Sequence, residues 1–116
     1  MILSTEQFAE VIAEHDFLII NFGARWCGPC RVFNRVFTDA AGENFDVAFA
    51  VVDVEEQPEL GAAFAVRSVP TIAVLCAGAL VFSHEGSLSD EALEDVLRQV
   101  RALDIKAVRQ AAAAQR

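Results

Sequence analysis

The run Phe17-Leu18-Ile19-Ile20-Asn21-Phe22, closed by Gly23, constrains this chain more than any other segment. It is too short for a helix of its own and does not alternate apolar with polar residues. Such a run reads as a strand covered on both faces, near the centre of a sheet. A helical pattern precedes it. Ser4-Thr5-Glu6-Gln7 has the form of a capping box, and Phe8, Val11 and Ile12 follow at helical spacing, which predicts a helix from about Thr5 to His15. Met1 to Leu3 is left as at most a short edge strand. A second helical pattern follows Trp26-Cys27-Gly28-Pro29-Cys30, where Val32, Phe33, Val36 and Phe37 recur at spacings of three and four and fade by Ala41-Gly42. The pentapeptide therefore sits at a strand-to-helix junction.

Phe45 to Val54 is a second strand region, and Pro58-Glu59-Leu60 opens a short helix with proline in its first turn. This makes a strand-helix-strand unit, whose crossover should be right-handed. Val69-Pro70 leads into a β-rich run from Thr71 to Leu75, Gly78 marks a turn, and Leu80-Val81-Phe82 is the return strand of a hairpin, so the sheet is mixed. Ser89 before Asp90 and Glu91 starts a last helix with acids in its positive first turn and an apolar stripe of Leu93, Val96, Leu97 and Val100. From about 104 to 116 the chain either continues that helix through Ala111 to Ala114 or frays, because alanine has high helix propensity but little apolar area to bury.

A length of 116 residues without an internal repeat or linker points to one α/β domain spanning 1–116. With 54% hydrophobic residues, nine of them Phe, the chain can fill a core without metals or structural disulfides, and the Phe residues are expected in that core. Net charge is −8 and the nine Lys and Arg form no run or stripe, which speaks against nucleic acid as a partner. The longest strongly apolar stretch, Phe17 to Phe22, falls far short of the roughly 18 to 20 residues a membrane span needs. Glu6, Glu10 and Glu14 near the N-terminus, with no basic n-region, do not read as a secretory signal, so a cytoplasmic location is expected. Three cysteines, two of them only three positions apart, are not the even, distributed set of a secreted disulfide scaffold.

The close pair carries the chemistry. A thiol exchanges with a disulfide as thiolate, and the mixed disulfide that results needs a second thiol within reach to resolve it. Residues i and i+3 on a first helical turn have Cα atoms about 5 to 6 Å apart, inside the range a disulfide can bridge. Cys27, at the N-terminal edge, is favoured as thiolate by unpaired backbone N–H groups and the helix dipole. Cys30, one turn in, should be more shielded and act as the resolving thiol. Gly28 lets a substrate backbone approach, Pro29 limits the start of the helix, and Trp26 offers an apolar face, with ordinary core packing as its alternative role. A zinc site would need two further ligands from Cys76, His15 and His84, with no second short-spaced pair, so no metal is expected. Cys76 reads as a packed bystander, with a glutathione adduct or an intermolecular disulfide as the alternatives.

Trp26-Cys27-Gly28-Pro29-Cys30 resembles the active-site segment of the thioredoxin family. The likeness extends in order and spacing over nearly the whole chain, through Asp53, Pro58, Val66-Arg67-Ser68-Val69-Pro70-Thr71, Gly78 and Gly86-Ser87-Leu88-Ser89. The resemblance implies a thioredoxin fold, a central mixed β-sheet flanked by helices on both faces. It also implies a cis peptide before Pro70 packed against the cysteines, with the Val69 backbone turned outward to pair with an extended substrate. Trp26, Gly28, Pro29, Val69, Pro70 and Gly86 would form a mostly apolar docking surface. Implied partners are disulfide-containing proteins, together with thioredoxin reductase or another thiol donor. The protein needs no cofactor of its own, and a monomer is expected. The chain departs from the family pattern where a buried aspartate is usual (Asn21), where its lysine partner is common (Val51), where a tryptophan is common (Gly23) and where a helix-kinking proline is common (Arg35). Asn21 is thus expected beneath the cysteine pair without a charged partner, and the second helix is expected to be straighter. A rival reading is a binding module of the same fold, such as a co-chaperone or assembly factor with weak redox activity. Such a module has no chemical need for two thiols at this spacing.

Overall fold

A computed structural model describes residues 1–114. The apolar run forms β1 (Phe17–Gly23), every internal residue of which is buried. It pairs in parallel with β2 (Ala48–Asp53) on one side and antiparallel with β3 (Thr71–Cys76) on the other. β4 (Ala79–Glu85) joins β3 antiparallel through the two-residue turn Ala77-Gly78, both with positive φ, as a tight hairpin requires. The order β2-β1-β3-β4 makes a mixed sheet with β1 inside.

Because successive side chains on a strand point to opposite faces, β1 has a clean division of labour. Ile19 packs with Phe33, Phe37, Phe49, Ile72, Leu93 and Leu97, under α2 (Gly28–Ala41) and α4 (Asp90–Arg101). Leu18, Ile20 and Phe22 pack on the other face with Leu60 and Phe64 and with Phe8, Val11 and Ile12, under α3 (Pro58–Ala63) and α1 (Phe8–Glu14). Helices thus cover both faces, and this is the thioredoxin fold. Each large apolar side chain buried this way contributes on the order of 1.5–3 kcal/mol.

Several boundaries differ from the sequence expectation for identifiable reasons. Ser4 Oγ accepts from Gln7 N at 3.3 Å as a cap should, but α1 begins at Phe8 rather than Thr5 because the turn between them closes with i to i+3 bonds, Gln7 N to Ser4 O at 3.2 Å and Phe8 N to Thr5 O at 3.4 Å. Ile2 forms a single parallel bridge with Val51, so the first residues do lie at the sheet edge. The second strand starts at Ala48, not Phe45. Asn44 Nδ2 donates to Ala40 O at 2.8 Å at the end of α2, Val47 N bonds back to Asn44 O, and Phe45 is left at the corner of that turn, 88% exposed. The expectation that all nine Phe are core therefore fails at Phe45. A bidentate pair between Arg101 and Asp46 (2.7 and 2.8 Å) ties this turn to the end of α4, and the guanidinium lowers the Asp46 carboxyl below its ordinary range.

α4 does not continue into the alanine-rich segment. It stops at Arg101, and a separate helix α5 (Ile105–Ala114) starts where Asp104 Oδ1 accepts from Lys106 N and Ala107 N at 2.9 and 3.3 Å. An aspartate in that place ends one helix and caps the next. Residues 115 and 116 of the expected C-terminal helix lie outside the described residues. α2 runs unbroken through Arg35 over 14 residues.

Candidate active site

β1 ends at Gly23, and the chain turns through Ala24-Arg25-Trp26 to place Cys27 as the N-cap of α2, with Gly28 and Pro29 opening the helix. The N-cap position gives Cys27 a specific partner. Its Sγ accepts a hydrogen bond from Cys30 N at 3.1 Å, using one of the amide donors that a helix N-terminus leaves without an intrahelical acceptor. Cys27 and Cys30 are joined as a disulfide, with Cα atoms 5.2 Å apart. Both cysteines are buried to the same degree, 3% and 2% exposed, so the greater shielding expected for Cys30 is absent from the disulfide form.

Around the sulfurs lie Ala24, Val54 and Val69. The Val69-Pro70 peptide is cis, and Val69 O lies 3.7 Å from Cys27 Sγ. Pro70 is buried and its carbonyl accepts from Gly86 N at 2.8 Å, which brings the Gly86 turn beside the Val69-Pro70 loop. Gly86 has φ +97°, a conformation other residues adopt only with strain. Trp26 is 70% exposed, which makes core packing the wrong account of it. Gly28 and Pro29 are exposed, and a Cβ at Gly28 would meet no atom within 4 Å. The open approach and the apolar rim thus lie together on the side of the molecule that carries Cys27.

Asn21 is fully buried on the α2 face of β1, between its register partners Val51 and Ile72. Its Nδ2 donates to Asn34 Oδ1 at 2.8 Å. The sequence reading missed Asn34; the only available signal was its place four residues after Cys30, on the same side of the helix. Gly23, two residues beyond Asn21 on the same face, lies under the pair: a Cβ there would stand 3.4 Å from Cys30 Sγ.

Among the described residues no three His, Cys, Asp or Glu come together as a metal site. Cys76 is a free, buried thiol at the far end of β3, roughly 17 Å from Thr71 by strand rise, and burial pushes its pKa up. Mild peroxide oxidation is expected to give the Cys27–Cys30 disulfide and leave Cys76 reduced and unreactive to alkylating agent in the native state. Peptide mapping checks this, and a Cys76 disulfide in the major product would refute it.

The thioredoxin family model matches residues 1–99. The provisionally named thioredoxin 2 of Streptomyces coelicolor is 42% identical over 113 residues, covering 97% of this chain and 84% of its own length. A mutant thioredoxin from Halobacterium salinarum superposes with a TM-score of 0.81 at 30% identity, covering 90% of this chain and 92% of that one. The oxidized mitochondrial thioredoxin 3 of Saccharomyces cerevisiae gives 0.79 at 30% identity, over 85% and 93%. The chain belongs to the thioredoxin family. It is a thiol-disulfide oxidoreductase working by dithiol-disulfide exchange, a chemistry that takes disulfide-containing proteins as substrates and draws on a thiol donor. No helix among the described residues is long and apolar enough to cross a membrane.

Proposed function

We propose that the protein runs as a reductase of protein disulfides in which Cys27 attacks and Cys30 resolves. The observation that carries this assignment is the hydrogen bond from Cys30 N to Cys27 Sγ at the N-cap of α2. A donor aimed at one sulfur, reinforced by the positive end of the helix, stabilises charge on that sulfur and not on the other. In the first step the Cys27 thiolate bonds to one substrate sulfur, the substrate S–S bond breaks, and the departing thiolate takes a proton from solvent. Cys30 then loses its proton and attacks Cys27 Sγ, the mixed disulfide breaks, and the second substrate thiol leaves. Two electrons pass from the dithiol to the substrate, and the Cys27–Cys30 disulfide is the product.

Docking is assigned to Trp26, Gly28, Pro29, Val69 and Gly86, with the buried Pro70 shaping the Val69 loop and holding Gly86 beside it. An extended substrate would lie along Val69, whose carbonyl is close to Cys27, with Trp26 supplying exposed apolar area at the rim. Asn21 supports the pair from below. Reduction of the Cys27–Cys30 disulfide falls to thioredoxin reductase or another thiol donor. We assign the whole of 1–116 to one domain, acting as a cytoplasmic monomer; the buried, unpaired Cys76 favours a reducing compartment. The acidic chain has no use for nucleic acid.

Reduction of a disulfide-bonded protein substrate, with dithiothreitol as donor, tests the reading. Catalysed reduction well above the dithiothreitol background is expected. A rate equal to background would hand the protein to the rival reading, a binding module of this fold.

A further inference from the structure

Among the described residues one buried side-chain polar atom has no hydrogen-bond partner, and it is Asn21 Oδ1. The amide is already held at its other end, where Nδ2 donates to Asn34 Oδ1. Asn34 and Cys30 are one helical turn apart on α2 and look onto the same strip of sheet. Asn21 and Gly23 share a face of β1, and Gly23 lies against Cys30 Sγ. A cleft of about 130 Å³ is lined by Gly23, Cys30, Asn34 and Val51, so it reaches the hydrogen-bond partner and a register partner of Asn21, while Asn21 itself is buried behind them.

A buried carbonyl oxygen left without a donor is costly, so its partner is sought in another state of the same site. The state described has a Cys27–Cys30 disulfide, which carries no S–H. Reduction by glutathione breaks that bond, forms one glutathione disulfide from two thiols and delivers two hydrogens to the pair. One of them makes Cys30 a donor beside the cleft.

We propose that Asn34 is a positioning residue for the redox couple. By engaging Nδ2 it holds the Asn21 amide with Oδ1 free, and that oxygen accepts the Cys30 S–H, directly or through one water in the cleft, in the dithiol form alone. The dithiol gains a hydrogen bond that the disulfide lacks. The inference rests on the thiol pair being redox-active, and it does not depend on which proteins the pair reduces.

The test is a cycle of Asn34→Lys, Asn21→Leu and the double variant, each equilibrated with glutathione buffers at pH 7. A direct effect of the lysine charge on the thiols would persist in the Asn21→Leu background, which separates it from loss of the acceptor. Lysine can only donate, so it occupies Asn21 Oδ1 and removes the acceptor from Cys30. Asn34→Lys and Asn21→Leu are each expected to shift the equilibrium about three- to tenfold toward the disulfide, or about 15–30 mV at 29.6 mV per tenfold. Adding Asn34→Lys to Asn21→Leu should change nothing further. Thermal unfolding of each variant shows that it is folded. An unshifted Asn34→Lys, or a shift that persists in the Asn21→Leu background, overturns the proposal. Because the equilibrium is read on the chain's own thiols, a protein that failed to reduce protein substrates would still return an answer on Asn34.

Discussion

Cys27→Ser is expected to lose disulfide reduction down to the rate of the thiol donor alone, while Cys30→Ser keeps the first step and accumulates as a mixed disulfide with substrate. The asymmetry follows from the helix end. A serine hydroxyl at the N-cap still accepts from the amide of residue 30, so α2 keeps its start and the loss is chemical rather than structural. Its oxygen, however, stays protonated at neutral pH and does not attack sulfur. At position 30 the replaced thiol is needed only after the first bond has formed, and its removal lets the adduct persist. Mass spectrometry after incubation with a disulfide-bonded substrate distinguishes the two variants. An adduct on Cys27→Ser, with none on Cys30→Ser, would reverse the assigned roles.

Asn21→Asp is expected to have the second large effect, with opposite signs on stability and on rate. A carboxylate at this fully buried site has Val51 and Ile72 as its strand neighbours and no cation, and only the Asn34 amide, turned over, can donate to it. Burial therefore raises the pKa of the new acid above its unfolded value. In the folded state the acid then holds its proton to higher pH than in the unfolded chain, so stability falls as pH rises from the ordinary aspartate range through the raised folded value. Urea unfolding should show a small destabilisation near pH 4 that grows to about 1 to 3 kcal/mol or more at neutral pH and above. The same carboxylate can take the Cys30 proton during resolution and, once charged, opposes the Cys27 thiolate. Faster decay of a preformed mixed disulfide and a Cys27 titration displaced to higher pH should follow, the latter read by thiolate absorbance. If the substitution leaves both unchanged, Asn21 does not communicate with the thiols.

The sheet and the thiol pair were legible in the sequence because each rests on a local signal that tertiary structure had no reason to override. Five consecutive buried residues, Leu18 to Phe22, leave an apolar run broken only by Asn21, and a Cys-x-x-Cys following such a strand needs only the geometry of one helical turn. Phe45 misled because an apolar side chain next to a strand resembles part of it, while the deciding contacts, Asn44 to the end of α2 and to Val47, belong to the turn. The break before α5 was hidden inside a favourable helical composition and depended on the single cap at Asp104. Asn34 had only a weak positional signal, one helical turn after Cys30. An exposed asparagine on a helix is unremarked until the fold lays it against a buried amide thirteen positions earlier. The equal burial of the two cysteines likewise belongs to the closed disulfide, a state about which residue order is silent.

The N-cap of α2 is the sulfur assigned to the attack, and this ties secondary structure to oxidation state. A hydrogen bond to an ionised acceptor is about twice as strong as one to a neutral acceptor. The amide of Cys30 therefore grips a Cys27 thiolate more firmly than it grips the disulfide sulfur described here. The cap hydrogen bond is accordingly strongest with the Cys27 thiolate, and that added strength is lost whenever Cys27 Sγ is neutral, in the internal disulfide as in a mixed disulfide. The mixed disulfide is also the state in which Cys30 has to move toward Cys27. A helix whose cap is the reacting atom is thus anchored most firmly when that atom carries charge.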